Sequence, residues 1–170
     1  MTDTLFQDLI EYMNTRLLGK YRGIVTEVDA ATMRIKARVP AVFGNDATSG
    51  WCSPCVPYAG PQVGFLMLPE PGSGVWIEFE GGDVSFPIWT GCYWNNGDVP
   101  DNASADLKSI ITKAGSLQFD NQNASVTAQV SADHSVVIDD SGVTISAGSG
   151  QQVAVSASGV SVNNDAMEVS

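Results

Sequence analysis

The stretch Pro69-Glu70-Pro71-Gly72-Ser73-Gly74-Val75-Trp76-Ile77-Glu78-Phe79-Glu80-Gly81-Gly82-Asp83, followed by Phe86-Pro87-Ile88 and Gly91, decides the fold. Val75, Ile77 and Phe79 alternate with Trp76, Glu78 and Glu80. A period of two puts the first three side chains on one face of a strand and the other three on the opposite face. Gly81-Gly82-Asp83 is a turn signal, and a second apolar run starts at Phe86.

Outward from this hairpin the pattern stays β. Tyr21–Val28 and Met33–Val39 read as two strands joined by Asp29-Ala30-Ala31-Thr32. The second alternates strictly, with Met33, Ile35, Ala37 and Val39 on one face and Arg34, Lys36 and Arg38 on the other. Further strands are expected near residues 63–68, 74–80 and 86–93. About five short strands over residues 20–94 fit a barrel of the OB type.

The order of residues in this region resembles the OB-fold module of the baseplate spike family of contractile injection systems, which includes phage baseplate assembly protein V and the VgrG spikes of type VI secretion. The likeness rests on Pro69 and Gly72, on Val75, Ile77 and Phe79 leading into Gly82 and Asp83, and on Pro87 and Gly91. Gly23-x-Val25 and Arg38-Val39-Pro40 extend it over most of residues 20–93. The resemblance implies a structural protein: the central spike of a contractile phage-tail baseplate, or of a related system. It implies a homotrimer seated on a separate baseplate hub protein and driven through the target envelope when the sheath contracts. It also implies assembly in the host cytoplasm, residence in the virion at the tail baseplate and only transient contact with the target membrane. A small tip protein of the PAAR type would cap the end at Met167 and Val169.

Residues 111–170 differ in composition. No Lys or Arg follows Lys113, no Phe, Trp or Tyr follows Phe119 and no proline follows Pro100. Apolar-x-apolar triplets recur at Leu117-Phe119, Val126-Ala128, Val136-Ile138, Val143-Ile145, Val153-Val155, Val160-Val162 and Met167-Val169. Two share a lead-in, Ser141-Gly142-Val143 and Ser158-Gly159-Val160. This is an internal repeat of short strands and tight turns. Each strand offers only two or three small apolar side chains. They cannot offset the ordering of the chain, at roughly 1–2 kcal/mol per residue. Three copies turning these rows to a common axis would supply the missing partner. The region therefore reads as a trimeric β-helix or β-prism with Val136, Ile138, Val143, Ile145, Val153, Val155, Val160 and Val162 in the trimer core. Disorder is the competing reading of so Ser/Gly/Asn-rich a segment. The regular triplets argue against it.

Residues 1–19 read as an amphipathic helix. Leu5, Leu9, Met13 and Leu17 repeat at four-residue spacing, joined by Phe6, Ile10 and Leu18. Thr4 and Gln7 have capping-box spacing, and Gly19 is a stop signal. The stripe fits either a helix covering the end of the barrel or one docking on a neighbouring baseplate protein. Residues 95–110 are polar and read as a linker.

The totals set limits. Nineteen acidic against eight basic residues give a net charge of −11 over 170 residues, which repels phosphate backbones and argues against nucleic acid as a partner. No basic residue stands between Arg38 and Lys108, so a basic surface around the barrel's aromatic residues is not expected. No apolar run approaches the roughly 20 residues that span a bilayer. Asp3, Asp8 and Glu11 at the start are unlike a secretory signal.

Catalytic and metal chemistries find little support. Cys52-x-x-Cys55 has redox-motif spacing, but Pro57, Gly60 and Pro61 prevent the helix that would activate the thiol. Cys52 and Cys55 would be half a zinc site that only Cys92 and His134 could complete. Cys92 reads more simply as a core residue of the last barrel strand. His134 is the only histidine, so the His-x-His apex pair of some family members has no counterpart. Glu78 with Glu80, and Asp139 with Asp140, do not frame a cleft with two distinct environments. No enzyme activity, cofactor or metal is expected. A trimeric fibre binding a surface glycan through Trp51 and Trp94 is the alternative function.

Overall fold

The computed structural model describes residues 2–163 and 166–169. The chain divides into two compact units, Met1–Val99 and Pro100–Ser170. Among the described residues no helix is long and apolar enough to cross a membrane.

The first unit starts with helix α1 (Thr2–Asn14) and continues through strands β1 (Tyr21–Asp29) and β2 (Arg34–Arg38) and a short helix α2 (Pro40–Phe43). Strands β3 (Ser53–Pro54), β4 (Ala59–Gly60), β5 (Val63–Gly64), β6 (Gly74–Phe79) and β7 (Pro87–Tyr93) follow. Five of them form one sheet in the order β2-β1-β6-β7-β3. All neighbours are antiparallel except β3 beside β7. Bridges from Ile35 to Cys52 and from Arg38 to Thr48 tie the outer edge of β2 to the segment that becomes β3. The sheet is thereby curled and closed, so neither edge is left as a bare template for aggregation.

The core follows the alternation read from the sequence. Val25, Ile35, Ala37, Val39, Val75, Ile77, Phe79 and Trp89 are buried together with Cys52. Leu17, Tyr21, Val42, Phe43, Val56 and Leu68 pack around them. Met33 departs from the pattern because its φ of 56° belongs to the turn, so β2 starts at Arg34.

Several sequence expectations need correction. Cys92 is exposed, while Cys52 lies fully buried in the core. The register shifts between Val75 and Ile77, where Cys92 and Trp89 are the respective partners. That bulge, with Gly91 at φ 140°, gives the core position opposite Ile77 to the Trp89 ring. The strand expected over residues 63–68 stops at Gly64. The Phe65 N–H turns back to the Tyr58 carbonyl (2.9 Å), closing an isolated β4–β5 hairpin instead. Helix α1 begins at Thr2, so Thr4 lies inside it and does not cap it. It also ends at Asn14, because the Leu17 N–H is drawn to the Gly82 carbonyl (3.0 Å) and the Leu17 side chain to the core. Leu5, Phe6, Leu9, Ile10 and Met13 are all exposed, so α1 does not cover the barrel within one chain.

The second unit is a single antiparallel meander: β8 (Leu107–Ile111), β9 (Ser116–Asp120), β10 (Ser125–Ser131), β11 (His134–Asp139), β12 (Gly142–Ala147), β13 (Gln152–Ser156), β14 (Gly159–Val162) and β15 (Met167–Val169). Residues 107–110, read as linker, belong to the first of these strands because Ile110 and Leu117 pair as an apolar couple. Every strand pairs with its neighbour in sequence, within one chain. Each strand finds its backbone hydrogen-bonding partner across the short turn that follows it, so the sheet forms with low loop-closure cost.

Candidate functional site

The Gly-rich signature of the barrel is a set of backbone fits. Val25 and the Pro69–Gly72 turn are laced together: the Gly72 N–H donates to the Val25 carbonyl (2.9 Å) and the Val25 N–H to the Ser73 carbonyl (3.0 Å). Gly82 is buried at φ 77°, and a Cβ there would stand 2.9 Å from the Arg16 Cβ. Only glycine tolerates both conditions. Asp83 accepts from the Ser85 N–H (2.9 Å), which holds its carboxyl below the usual carboxylate range. Pro87 is buried at the start of β7. These residues shape the β6–β7 corner, where Ser85 and Pro87 line a cleft of about 270 Å³ with Arg34, Trp51 and Phe86.

Register brings basic residues onto the barrel's aromatics, which sequence spacing missed. Arg22 sits over both the Trp76 ring (5.1 Å) and the Tyr93 ring (4.7 Å), and Lys36 over Trp51 (4.8 Å). Lys36 is also paired with Glu27 (3.1 Å), and Lys20 with Glu78 (2.6 Å). The cations come from β1 and β2, distant in sequence from the rings they cover. Among the described residues no three His, Cys, Asp or Glu side chains group as a metal site. Burial pushes the Cys52 thiol up, away from reactive thiolate chemistry.

The second unit builds a surface of another kind. Each triplet contributes one side chain to each of two rows that cross the whole meander. One row runs Ile110, Leu117, Ala128, Val136, Ile145, Val153, Val162, Met167. The other runs Phe119, Val126, Ile138, Val143, Val155, Val160 and on to Val169, with Lys108 at its opposite end. Direct cross-strand pairs of β-branched side chains on one face are the unit of sheet stabilisation. The opposite face presents Gln118, Thr127, Val137, Thr144, Ala154 and Ser161, also in one row.

No described residue of 100–170 is buried. Val136 is 37% exposed, Ile145 47%, Val155 47% and Met167 60%. The apolar face includes an open groove of about 560 Å³ lined by Ile110, Leu117, Val136, Ile145 and His134. His134 is held at the strand end, its Nδ1 3.0 Å from the Ser131 Oγ. The side chain of Val169 lies outside the described residues.

The turns that set this register were legible in part. Gly142 and Gly159, both preceded by Ser, share a φ of 139°. A Cβ on Gly142 would fall 2.0 Å from the Val155 carbonyl oxygen. The Asp139 carboxylate accepts from the Ser141 N–H (2.8 Å) and hydroxyl (2.5 Å), and Asp120 does the same for Gln122 and Asn123. Both carboxyls are held below their usual range by these hydrogen bonds.

Two rows on one face, apolar apart from Lys108, are therefore left open, while each strand hydrogen-bonds to its sequence neighbours within the chain. Comparison with known families fits this division. Residues 21–94 match the type VI secretion system/phage-baseplate injector OB domain. Residues 110–168 match the phage baseplate V C-terminal trimerisation domain. No curated protein matches the chain. Both matched families are structural modules, and the second supports a homotrimer. With an injector OB domain followed in the same order by a trimerisation domain, the chain belongs to the phage baseplate V/VgrG-type family.

Proposed function

We propose that the chain is the central spike of a contractile phage-tail baseplate or a related injection system, seated on a hub and driven through the target envelope. The observation that carries this reading is the pair of continuous apolar rows, half exposed in one chain and matched to a trimerisation domain. Three meanders turning these rows inward would make a β-prism, each wall supplied by one chain. An intertwined β-helix is less compatible with strand pairing that stays within the chain. The outer walls would carry Thr127, Thr144 and Ser161. From Ala114 onward six acidic and no basic residues give −6 per chain, and so −18 for three chains. Such a surface stays soluble and is repelled by anionic lipid, so passage through a membrane would need force.

The exposed apolar stripe of α1 supports attachment to a separate hub protein. Exposed Met167 on the last strand supports a PAAR-type cap at the other end. Assembly would occur in the host cytoplasm before incorporation at the tail baseplate.

The test uses contracting particles that carry either the natural chain or the Ile145→Asp variant. Sheath contraction should persist in both, while release of dye from target vesicles should fail with the variant. Equal release would overturn the spike reading. A second reading, a trimeric fibre that binds glycan, is favoured only by exposed Trp94 and partly exposed Trp51. Glycan-array binding by the isolated protein, lost on Trp94→Ala, would establish it in place of the spike.

A further inference from the structure

The cleft at the β6–β7 corner has Arg34, Trp51, Ser53, Glu80 and Phe86 in its lining and plays no part in the roles described above. Its walls are held in place by bonds outside it. The Glu80 N–H donates to the Phe86 carbonyl, the Phe86 N–H to the Asp83 carbonyl and the Asp83 N–H back to the Glu80 carbonyl (3.0 Å each), so Glu80 and Phe86 leave one closed turn. Trp51 precedes Cys52, whose N–H donates to the Ile35 carbonyl (2.8 Å). Lys36, gripped by both Glu27 oxygens (3.1 Å each), lies over the Trp51 ring without lining the cleft. Walls fixed in advance lose little freedom when something binds.

The polar groups of the lining are the second observation. Among the described residues, the Arg34 guanidinium, the Trp51 indole N–H, the Ser53 hydroxyl and the Glu80 carboxylate make no hydrogen bond or ion pair. Arg34 attracts the Asp29 carboxyl through space, but the Asp29 oxygens are taken by Ala31 and Thr32. Opposite charges thus line one cleft without meeting, beside the faces of two partly exposed aromatic rings, Trp51 by 39% and Phe86 by 59%.

We propose that this cleft binds one neutral pyranose unit of a saccharide, its C–H face on the Trp51 ring and its hydroxyls bridging Arg34 and Glu80. Size and polarity select this occupant. At about 270 Å³ the cleft falls below the roughly 300–1,000 Å³ of sites for larger ligands, and so suits one ring. An anion drawn to Arg34 would face Glu80, and a cation drawn to Glu80 would face Arg34. A hydroxyl both donates and accepts, so neighbouring hydroxyls on one ring satisfy the carboxylate and the guanidinium together. A zwitterion would meet the two charges but leave the Ser53 hydroxyl and the Trp51 N–H without partners. An extended peptide would need a free strand edge, and the edge of β2 beside Trp51 is already bridged to Cys52. The amphipathic indole supplies an apolar platform with a polar rim. The site lies wholly within the barrel unit and does not depend on the spike reading.

The experiment is saturation-transfer NMR on the full-length chain with the methyl pyranosides of glucose, galactose, mannose and N-acetylglucosamine, beside glucuronate as an anion and phenylalanine as a zwitterion. The expected result is transfer to at least one neutral pyranoside, with a dissociation constant on the order of millimolar, as suits a small open site. Trp51→Ala should weaken that binding by about tenfold or more. Glu80→Gln, a change at an exposed position that keeps the side chain's shape, should weaken it by about threefold or more through loss of the charged acceptor. Transfer to none of the neutral pyranosides overturns the proposal, as does transfer to glucuronate or phenylalanine alone. Binding that survives both Trp51→Ala and Glu80→Gln undiminished also overturns it. Binding lost with Trp94→Ala but not with Trp51→Ala moves the sugar site to the other loop, against the proposal and in favour of the fibre reading. None of these outcomes bears on sheath contraction or vesicle release, so this site and the spike reading fail separately.

Discussion

The two units are both built from short antiparallel strands, yet they solve the burial problem in opposite ways. In the barrel, Ile35, Ala37, Val39, Cys52, Val75 and Ile77 are completely buried by other parts of the same chain. In the meander, no described residue reaches that state, although Ile138, Val143, Ile145 and Val155 are of the same apolar kind. The difference lies in the connections. The barrel chain crosses from β2 through residues 48–54 to β7 and closes the sheet over its own apolar face. The meander only returns to its last strand, so its apolar face has nothing of its own to meet. A sheet with an open apolar face is half of a fold, and the match to a trimerisation domain fits a face that other copies would cover.

The sharpest way to break this comparison is Ile145→Asp against Thr144→Asp. Judged from one chain, Thr144 is the less exposed of the two and should be the more sensitive. In the proposed trimer Ile145 would face the partners, and three buried carboxylates would cost several kcal/mol. Native mass spectrometry should find monomers for Ile145→Asp and trimers for Thr144→Asp. The reverse order would place the interface on the wrong face.

Next in size is Ile77→Ala, in the barrel core. The loss should be about 2–5 kcal/mol of barrel stability, read by denaturant melting, with the native mass still three chains. Loss of the trimer would mean that the units depend on each other for stability. A smaller effect, about 1–3 kcal/mol, is expected from Gly82→Ala, which combines a positive φ with the close Arg16 side chain. Because Leu17 bonds to Gly82, hydrogen exchange at Leu17 should accelerate in the variant, and unchanged exchange there would separate the two segments.

The smallest effect concerns acid. Hydrogen bonds from Ser141 hold the Asp139 carboxyl below its usual range, so ionisation stabilises the β11–β12 turn. That contribution is present above the ordinary carboxylate pKa of about 4 and is lost as the pH falls through the depressed value. Asp139→Asn should therefore melt slightly earlier than the natural chain at neutral pH, and the gap should close in acid. A gap that widens in acid would reverse the assignment.

Much of the barrel was legible because alternation is a local property. The faces of Ile35, Ala37 and Val39, and of Val75, Ile77 and Phe79, follow from a period of two and are those observed. The turn signals at Gly82 and Gly142 were likewise readable, since each marks backbone that a side chain would obstruct. Cys52 and Cys92 were not. Which of them is buried depends on a bulge and on a bridge to Ile35, neither of which has a local sequence mark. The cations over Trp51 and Trp76 were missed for the same reason, because cross-strand register and not sequence distance brings Lys36 and Arg22 there.

By itself, then, the sequence determined most of the strands, the two side-chain rows of residues 117–169 and the lack of any Phe, Trp or Tyr after Phe119 to fill the space above them. Periodicity settles which side chains share a face, because that is a matter of backbone geometry within one strand. Only the tertiary structure decided that residues 48–54 close the barrel, that Leu17 is drawn into the core while α1 stays uncovered, and that each meander strand pairs with its neighbour in the same chain. These depend on which distant segments meet, and a face is buried only when something, in this chain or another, comes to cover it.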